Sequence, residues 1–404
     1  MTVTSSTRAS GLPESFYAPD FEVLVEGEPL DPISNGHVLS IKVVMDIQEL
    51  TTADVTLNNY DDTTFDLRWS FFKPNVPDAK PNPSDFTPLR LGARVEVRLG
   101  YAEHLLSMMH GTIETISADF SDGAPTLSMR VSDPLHALKD AHAPADEVAH
   151  RNQKDWQIVQ KIADRHGMQL EWDEDGPEQE LVVQRNLDDL TFLKERAARI
   201  DFTAHTRTDP ATGKDVLHFG KPTDGRDARP IRTWVLTWGS LVNTTAEPAG
   251  SAPPPSLIAF SPTVSRAEQV ESVNVRGWDS GAKKAINVTA KAKTPPGGGA
   301  NATATAPKSA GTKRSVVIDA PVKSEEEAKH LAESLLAERE YRFLTATGKT
   351  IGLPDLRPGD NVEIHGVGPT FGGTYFVTHA THTLNASGLL TDFNVRKTFE
   401  GERR

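Results

Sequence analysis

Period-two alternation dominates the first third of the chain. Phe21, Val23 and Val25 alternate with polar neighbours, as do Ile41, Val43, Met45 and Ile47. Val55 and Leu57 follow, then Val95, Val97 and Leu99, then Leu127, Met129 and Val131. Such spacing predicts strands with one buried face. The proline-rich excursion from Phe71 to Pro88 cannot lie in a central strand. Residues 1–17, rich in Ser and Thr, predict a flexible arm, and residues 18–145 a first β-barrel domain.

The period then changes. In "DWQIVQKIADRHG", Trp156, Val159 and Ala163 fall on one helical face, and Gly167 is placed to end the helix. In "DDLTFLKERAARI", Leu190, Leu193 and Ala197 repeat the spacing behind a cap at Asp188 or Asp189. Short strands are expected around Phe202–Thr206 and Val216–Phe219, so residues 146–232 read as a small α+β insert. Residues 233–404 read as a second β-barrel domain. It carries a mobile low-complexity loop at 292–314 and a helix at 324–340, opened by a Ser324/Glu327 capping box. The fold class is mainly β: two tube-like barrels plus one α+β domain.

Two distant stretches share a pattern: "LRLGARVEVRLGY" from Leu89 and "LRPGDNVEIHGVG" from Leu356. Leu89/Leu356, Arg90/Arg357, Gly92/Gly359, Val95/Val362 and Glu96/Glu363 recur in register. Gly111-Thr112-Ile113 and Gly373-Thr374-Tyr375 follow at the next strands. A glycine turn feeding a strand is a common device, so chance recurrence and duplication both account for it. Duplication would give one chain two related barrels, and three chains a six-barrel ring.

Composition narrows the chemistry. The 404 residues carry a formal net charge of −13, which disfavours recognition of nucleic acid through clustered cations. Cysteine is absent, which removes disulfides, thiolate metal sites and cysteine nucleophiles. No signal-peptide h-region or membrane span is visible, so synthesis in the cytoplasm and no membrane insertion are expected. His379 and His382 in "THATH" sit in a strand-like context, which would point them to opposite faces, so no metal site is expected. "GKT" at Gly348 has Phe343 where a P-loop needs glycine. No G-x-S-x-G elbow occurs. Catalytic residues and cofactors are therefore expected to be none.

"VNVRGWD", Val273 to Asp279, raises its own question. Val273 and Val275 alternate as a strand expected to open the second barrel. Trp278 is then a ligand-stacking ring, a packing anchor at the strand's exit, or an interface residue beside Arg276 and Gly277. With Gly92 and Gly359, these are the structural or interface candidates.

The order of these segments resembles one family. "LRLGARVEVRLGY", "DWQIVQKIADRHGMQLEW", "VVQRNLDDLTFLKERAARIDF", "LTWGSL", "VESVNVRGWD" and "GLPDLRPGDNVEI" follow the layout of the phage late-control D proteins. Those are baseplate hubs of contractile tails, similar to the hub half of the type VI secretion spike protein and to hubs of extracellular contractile injection systems. The resemblance spans roughly residues 18–400 and implies a structural, non-enzymatic homotrimer. It implies an adaptor between a hexameric inner tube and a trimeric spike, within an assembled tail or injection particle. Baseplate wedge or LysM-type proteins would be further partners. No β-helical needle follows before Arg404, so a separate spike protein is expected. The alternatives are a tail-associated cell-wall hydrolase or glycan-binding module, and a tube subunit, which needs only one barrel.

Overall fold

A computed structural model describes residues 8–9, 18–30, 32–63, 65–69, 89–102, 104–121, 123–208, 215–222, 232–239, 257–265, 269–292 and 315–397. Most of the N-terminal arm, the proline-rich excursion and nearly all of the 292–314 loop lie outside the described residues. The fold is mainly β with a small helical insert.

Unit one contains β1 (Pro19–Val25), β2 (Val38–Asp46), β3 (Thr52–Asn58), β4 (Arg94–Tyr101), β5 (His104–Asp119) and β6 (Thr126–Ser132). The alternating residues all turn inward: Val23, Val43, Val55, Val97 and Val131 are completely buried in one core. The insert contains β7 (Ala149–Gln153), α1 (Asp155–Arg165), β8 (Gln169–Trp172), β9 (Gln179–Val183), α2 (Asp189–Arg199), β10 (Thr203–Thr208) and β11 (Asp215–Gly220). Its helices pack Ile158, Val159, Leu193 and Ala197 against Leu217 and Phe219. Asp188 is the cap of α2, accepting from the Thr191 N–H at 2.8 Å. Asp189 instead turns inward, where Arg165, His166 and Gln184 bind its carboxylate.

The remainder contains β12 (Thr233–Thr237), β13 (Leu257–Val264), β14 (Ser272–Asp279), β15 (Lys284–Lys291), β16 (Ser315–Asp319) and α3 (Glu325–Tyr341). It closes with β17 (Leu344–Ile351), β18 (Asn361–His365), β19 (Gly373–Asn385) and β20 (Gly388–Lys397). Ser324 caps α3 through the Glu327 N–H at 3.1 Å. The Glu327 carboxylate reaches back to the Lys323 N–H.

Strand order reveals a duplication. Unit one runs β1-β4-β5-β6-β3-β2 across its sheet. Unit two runs β12-β18-β19-β20-β17-β13. Taken in chain order, the six strands of each unit occupy the same six places. Only the first pairing differs: β1 joins β4 antiparallel, whereas β12 joins β18 parallel.

The turns match as well. Gly92 and Gly359 both adopt positive φ, +77° and +93°, a region where a side chain is strained. The Gly92 N–H donates to the Ile113 carbonyl at 2.8 Å, and the Gly359 N–H to the Val377 carbonyl at 2.9 Å. Each partner strand then carries a bulge, at Glu114 and at Thr378. These anchors correct the alignment read from sequence. Val95 faces Gly111 while Val362 faces Tyr375, so Gly111 corresponds to Tyr375 and not to Gly373. A two-residue offset leaves every side chain on the same face, so alternation does not detect it.

A second correction concerns "VNVRGWD". Strand β14 does not open the second barrel. It lies at the centre of a separate three-stranded sheet, β15-β14-β16, which packs on α3. This small body is inserted between β13 and β17, where unit one has only the short β2–β3 connection. Gly277 sits on β14 where a Cβ would come within 2.3 Å of the Val322 side chain, so the glycine is a close-packing requirement. Trp278 is 57% exposed, so the packing-anchor role expected for it is not what the structure shows. Arg276 is exposed beside it, and its carbonyl accepts from the Ala320 N–H.

Gly277→Ala is expected to lower stability by about 1–3 kcal/mol through overpacking against Val322. Trp278→Ala should shift it by less than about 0.5 kcal/mol, as exposed positions do. Thermal or urea unfolding of the two variants checks the contrast.

Candidate functional site

The two units meet along one strand pair. His379–Leu384 of β19 lies antiparallel to Ile41–Asp46 of β2, fusing both sheets into one. Leu384 and Leu389, which flank the β19–β20 turn, are buried in the core of unit one. From the other side, the Tyr101 hydroxyl donates to the Gly352 carbonyl at 2.8 Å. Burial pushes that phenol up to about 12, so it stays a donor across the usable pH range.

Arg357 clamps the joint. Its guanidinium donates to the Ser107 and Met108 carbonyls of β5 at 2.8 and 3.0 Å, and lies against the Met45 and Met108 sulfurs. Met108 is the bulge between the Val97/Met109 and Arg98/Ser107 pairs. The guanidinium therefore serves carbonyls where the ladder is interrupted. Burial holds Arg357 below its ordinary pKa, and Asp355 and Asp360 oppose the shift. Its repeat counterpart Arg90 is on the surface, 65% exposed and paired with Glu26.

The histidines of "THATH" serve the same joint. His379 Nδ1 lies 3.1 Å from the Asp46 carboxylate, and its Nε2 lies 2.9 Å from the Thr381 hydroxyl. Burial alone would raise Asp46. The His379 bond and the Gln48 and Glu49 N–H groups outweigh it and hold the carboxylate below its usual range. His382 is completely buried. The Leu353 N–H donates to the Thr391 hydroxyl, whose own hydrogen can serve His382 Nδ1 at 3.0 Å. His382 Nε2 then donates to the Leu356 carbonyl at 3.1 Å. The neutral ring is fully satisfied, and burial takes its pKa down to about 3.

The insert docks nearby. The Asp133 carboxylate accepts from the Thr51 N–H and the Thr206 hydroxyl, and burial raises its pKa to about 6. Asp360 accepts from the Arg357 N–H and Trp234 Nε1, and burial raises it likewise to about 6. His110 of β5 faces Asp215 at 3.3 Å, and that hydrogen bond is the main reason its pKa rises. On the far side of the insert, Arg199 binds Glu327 at 2.7 Å, and the Tyr341 hydroxyl binds Asp201.

A cleft of about 820 Å³ runs between the insert, α3 and the sheet of unit two. Among its acids, Asp201 is held by Tyr341, Glu338 by Arg342 and Glu49 by Lys194. Among the described residues, no three His, Asp or Glu side chains converge as metal ligands, and no helix is long and apolar enough to cross a membrane. Gly348, Lys349 and Thr350 of the P-loop-like triplet lie within β17, where the Phe393 ring occupies the space above Gly348. Of the sequence candidates, Gly359 shapes the turn that positions Arg357. Gly92 shapes the matching turn beside Arg90, away from the joint, and Arg276, Gly277 and Trp278 lie in the small body on α3. Sequence reading paired Arg357 with Arg90 and assigned the clamp to neither. Its signal was a "PGD" turn beside an arginine, which does not reveal what the arginine reaches.

The fold is similar to that of phage-tail proteins of known structure. The prophage MuSo2 43 kDa tail protein from Shewanella oneidensis superposes with a TM-score of 0.63 at 12% identity, over 94% of this chain and 98% of that one. A tail protein from Neisseria meningitidis MC58 gives 0.63 at 14% identity, over 94% and 97%. The Escherichia coli c3393 protein gives 0.54 at 15% identity, over 92% and 76%. That protein is described as a type VI secretion component similar in structure to the T4 tail proteins gp27 and gp5. By sequence, the chain belongs to the family described as the Alg8 N-terminal domain, whose model matches residues 17–211 and 255–386. No curated protein matches the sequence.

Removing the clamp should cost more than removing its counterpart. Arg357→Met leaves the Ser107 and Met108 carbonyls without these donors, at about 1–3 kcal/mol, whereas Arg90→Met should cost under about 0.5 kcal/mol. Urea unfolding separates the two.

The buried acid and base should show opposite pH slopes. The folded pKa of His382 is depressed, so its contribution is complete above pH 6.5 and is lost as pH falls towards 3. The stability advantage of the native chain over His382→Gln should shrink by about 2 kcal/mol between pH 7.5 and pH 5. The folded pKa of Asp133 is raised, so the native chain should lose ground to Asp133→Asn as pH rises from about 4 to 6. Unfolding curves at pH 4, 5, 6 and 7.5 test both slopes.

Proposed function

We propose that this protein is the hub of a contractile injection machine: a homotrimer joining a hexameric inner tube to a trimeric spike, inside a tail or tail-like particle. The observation that carries this reading is the duplicated six-stranded unit. One chain with two tube-like units converts three-fold into pseudo-six-fold symmetry, which an adaptor between such partners needs. The shared architecture with phage-tail proteins and a type VI secretion component supports it. Domain limits near residues 18–145, 146–232 and 233–404 follow, with β14–β16 and α3 as a further body inside the last. Baseplate wedge or LysM-type proteins would contact the outer bodies, and exposed Trp278 and Arg276 suit such a rim. The role is geometric and requires no cofactor.

Light scattering should give three chain masses for the purified protein, and pull-down should retain a tube protein and a spike protein of the same particle. The pure protein should not clear a cell-wall suspension. A monomer that captures neither partner, or a loss of turbidity, overturns the reading.

A further inference from the structure

The β2–β19 joint has an unfilled counterpart. By the duplication, β2 corresponds to β13 and β19 to β5. Within one chain, β2 of unit one pairs with β19 of unit two. Among the described residues, β13 pairs only with β17. Beyond Ile113, and again among the described residues, β5 pairs with β6 and with no strand on its β4 side. Both segments are exposed along most of their length. Ile258 and Val264 on β13 are 46% and 36% exposed, and Phe120 at the end of β5 is 63% exposed. Apolar side chains on unpaired strand edges invite another strand.

We infer that β13 of one copy adds antiparallel to the Thr115–Asp119 part of β5 in the next copy, repeating between chains the joint made once within each chain. This rests on the proposed ring, and it names the contact that closes it. The register follows from the shared bulges and ladders. Arg130 corresponds to Asn394, because each pairs immediately past its bulge, with Thr115 and His379 respectively. Asp54 therefore corresponds to Thr347, and Lys42 to Ser261. In the chain, Val43 faces His382, Val44 faces Thr381 and Met45 faces Ala380. Between copies, Pro262 then faces Ala118, Thr263 faces Ser117 and Val264 faces Ile116.

Hydrogen-bond parity is consistent with this register. The Ser265 N–H donates to Phe343 at the β17 end, so Thr263 directs its N–H the same way and Pro262 directs its nitrogen to the free edge. In the in-chain joint, the Ile47 N–H donates to Thr378, which places the Val43 N–H on the β19 side, matching Pro262. Proline is tolerated at such an edge because no ladder within its own sheet needs its N–H. The ring joint thus has one donor fewer than its template, so it should be the weaker of the two. Arg90 repeats the asymmetry: Arg357 reaches the carbonyls of the neighbouring unit, while Arg90 is on the surface.

The cysteine-free chain permits a clean test. Thr263 and Ser117 would form the closely spaced type of pair, about 4.5 Å between Cα atoms, within disulfide reach. Thr263→Cys and Ser117→Cys chains, co-expressed and mildly oxidised, should yield a two-chain band on a non-reducing gel. Thr263→Cys with Glu28→Cys, at the far edge of unit one, should not. Equal bands in both mixtures overturn the register. The double variant Ile258→Lys, Val264→Lys alters exposed side chains and should keep native circular dichroism while falling to monomer mass. If it keeps the multimer mass, and the Thr263 and Ser117 variants fail to crosslink, strand addition is wrong and the hub reading stands. If the native chain stays monomeric with tube and spike proteins present, both fail.

Discussion

The pairing of β2 with β19 is the constraint on which the architecture depends. Without it, unit one and unit two would be separate curved sheets with exposed edges. A ladder hydrogen bond contributes only about 1 kcal/mol net, but a buried donor or acceptor left unpaired costs more. The joint is therefore reinforced from beside it, where the β4–β5 ladder of unit one is interrupted. Arg357 serves the carbonyls at the Met108 bulge, and Leu384 and Leu389 place unit-two side chains in the unit-one core. The strand pair, the clamp and the shared core fix the same relative position, so the joint is rigid by consistency rather than by any one strong contact.

Partly or fully buried ionisable groups concentrate at the same boundaries. Arg357, Asp360, Asp133 and His382 lie where units one and two and the insert converge. A buried ionic group is weak evidence for stability, since desolvation offsets much of the attraction. The guanidinium does supply register information that an apolar seam lacks, since a two-residue slide would take it off the Ser107 and Met108 carbonyls. For a protein with a duplicated body, where each strand has a look-alike elsewhere in the chain, this discrimination guards against pairing with the wrong copy.

Much of this fold was legible in sequence, for definite reasons. Alternation located the strands because one face of each is buried, and the Ser324 and Asp188 caps located helix starts because orphan N–H groups need acceptors. The Gly92/Gly359 match hinted at the repeat, since few residues other than glycine tolerate that turn, and the strand order distinguishes it from chance. Partners were not legible. Val273 and Val275 announce a strand, and nothing in their spacing says which sheet receives it, so β14 was assigned to the wrong body. The spacing around Trp278 leaves stacking, anchoring and interface roles open, and only the structure shows its ring to be exposed. Arg357 was visible only as half of a repeat, since its acceptors lie about 250 residues away in sequence.

The two units are alike in strand order but not in their edges, and that difference carries the remaining step. The first strand of unit one is antiparallel to its neighbour, and the first strand of unit two is parallel. Unit two also carries an extra body between β13 and β17, which unit one lacks. Two equal units would assemble with six-fold symmetry and could just as well polymerise, since a chain offering identical edges at both ends has no reason to stop. Here the in-chain joint links two strands of one chain, while the free edge of β13 lacks an N–H at Pro262. A weaker second joint would still close a ring, because the last contact forms between partners already held together. The same weakness limits pairing between stray copies, as edge prolines do elsewhere. On the proposed ring, the divergence of β13 from β2 would make the contact between copies weaker than the joint within the chain.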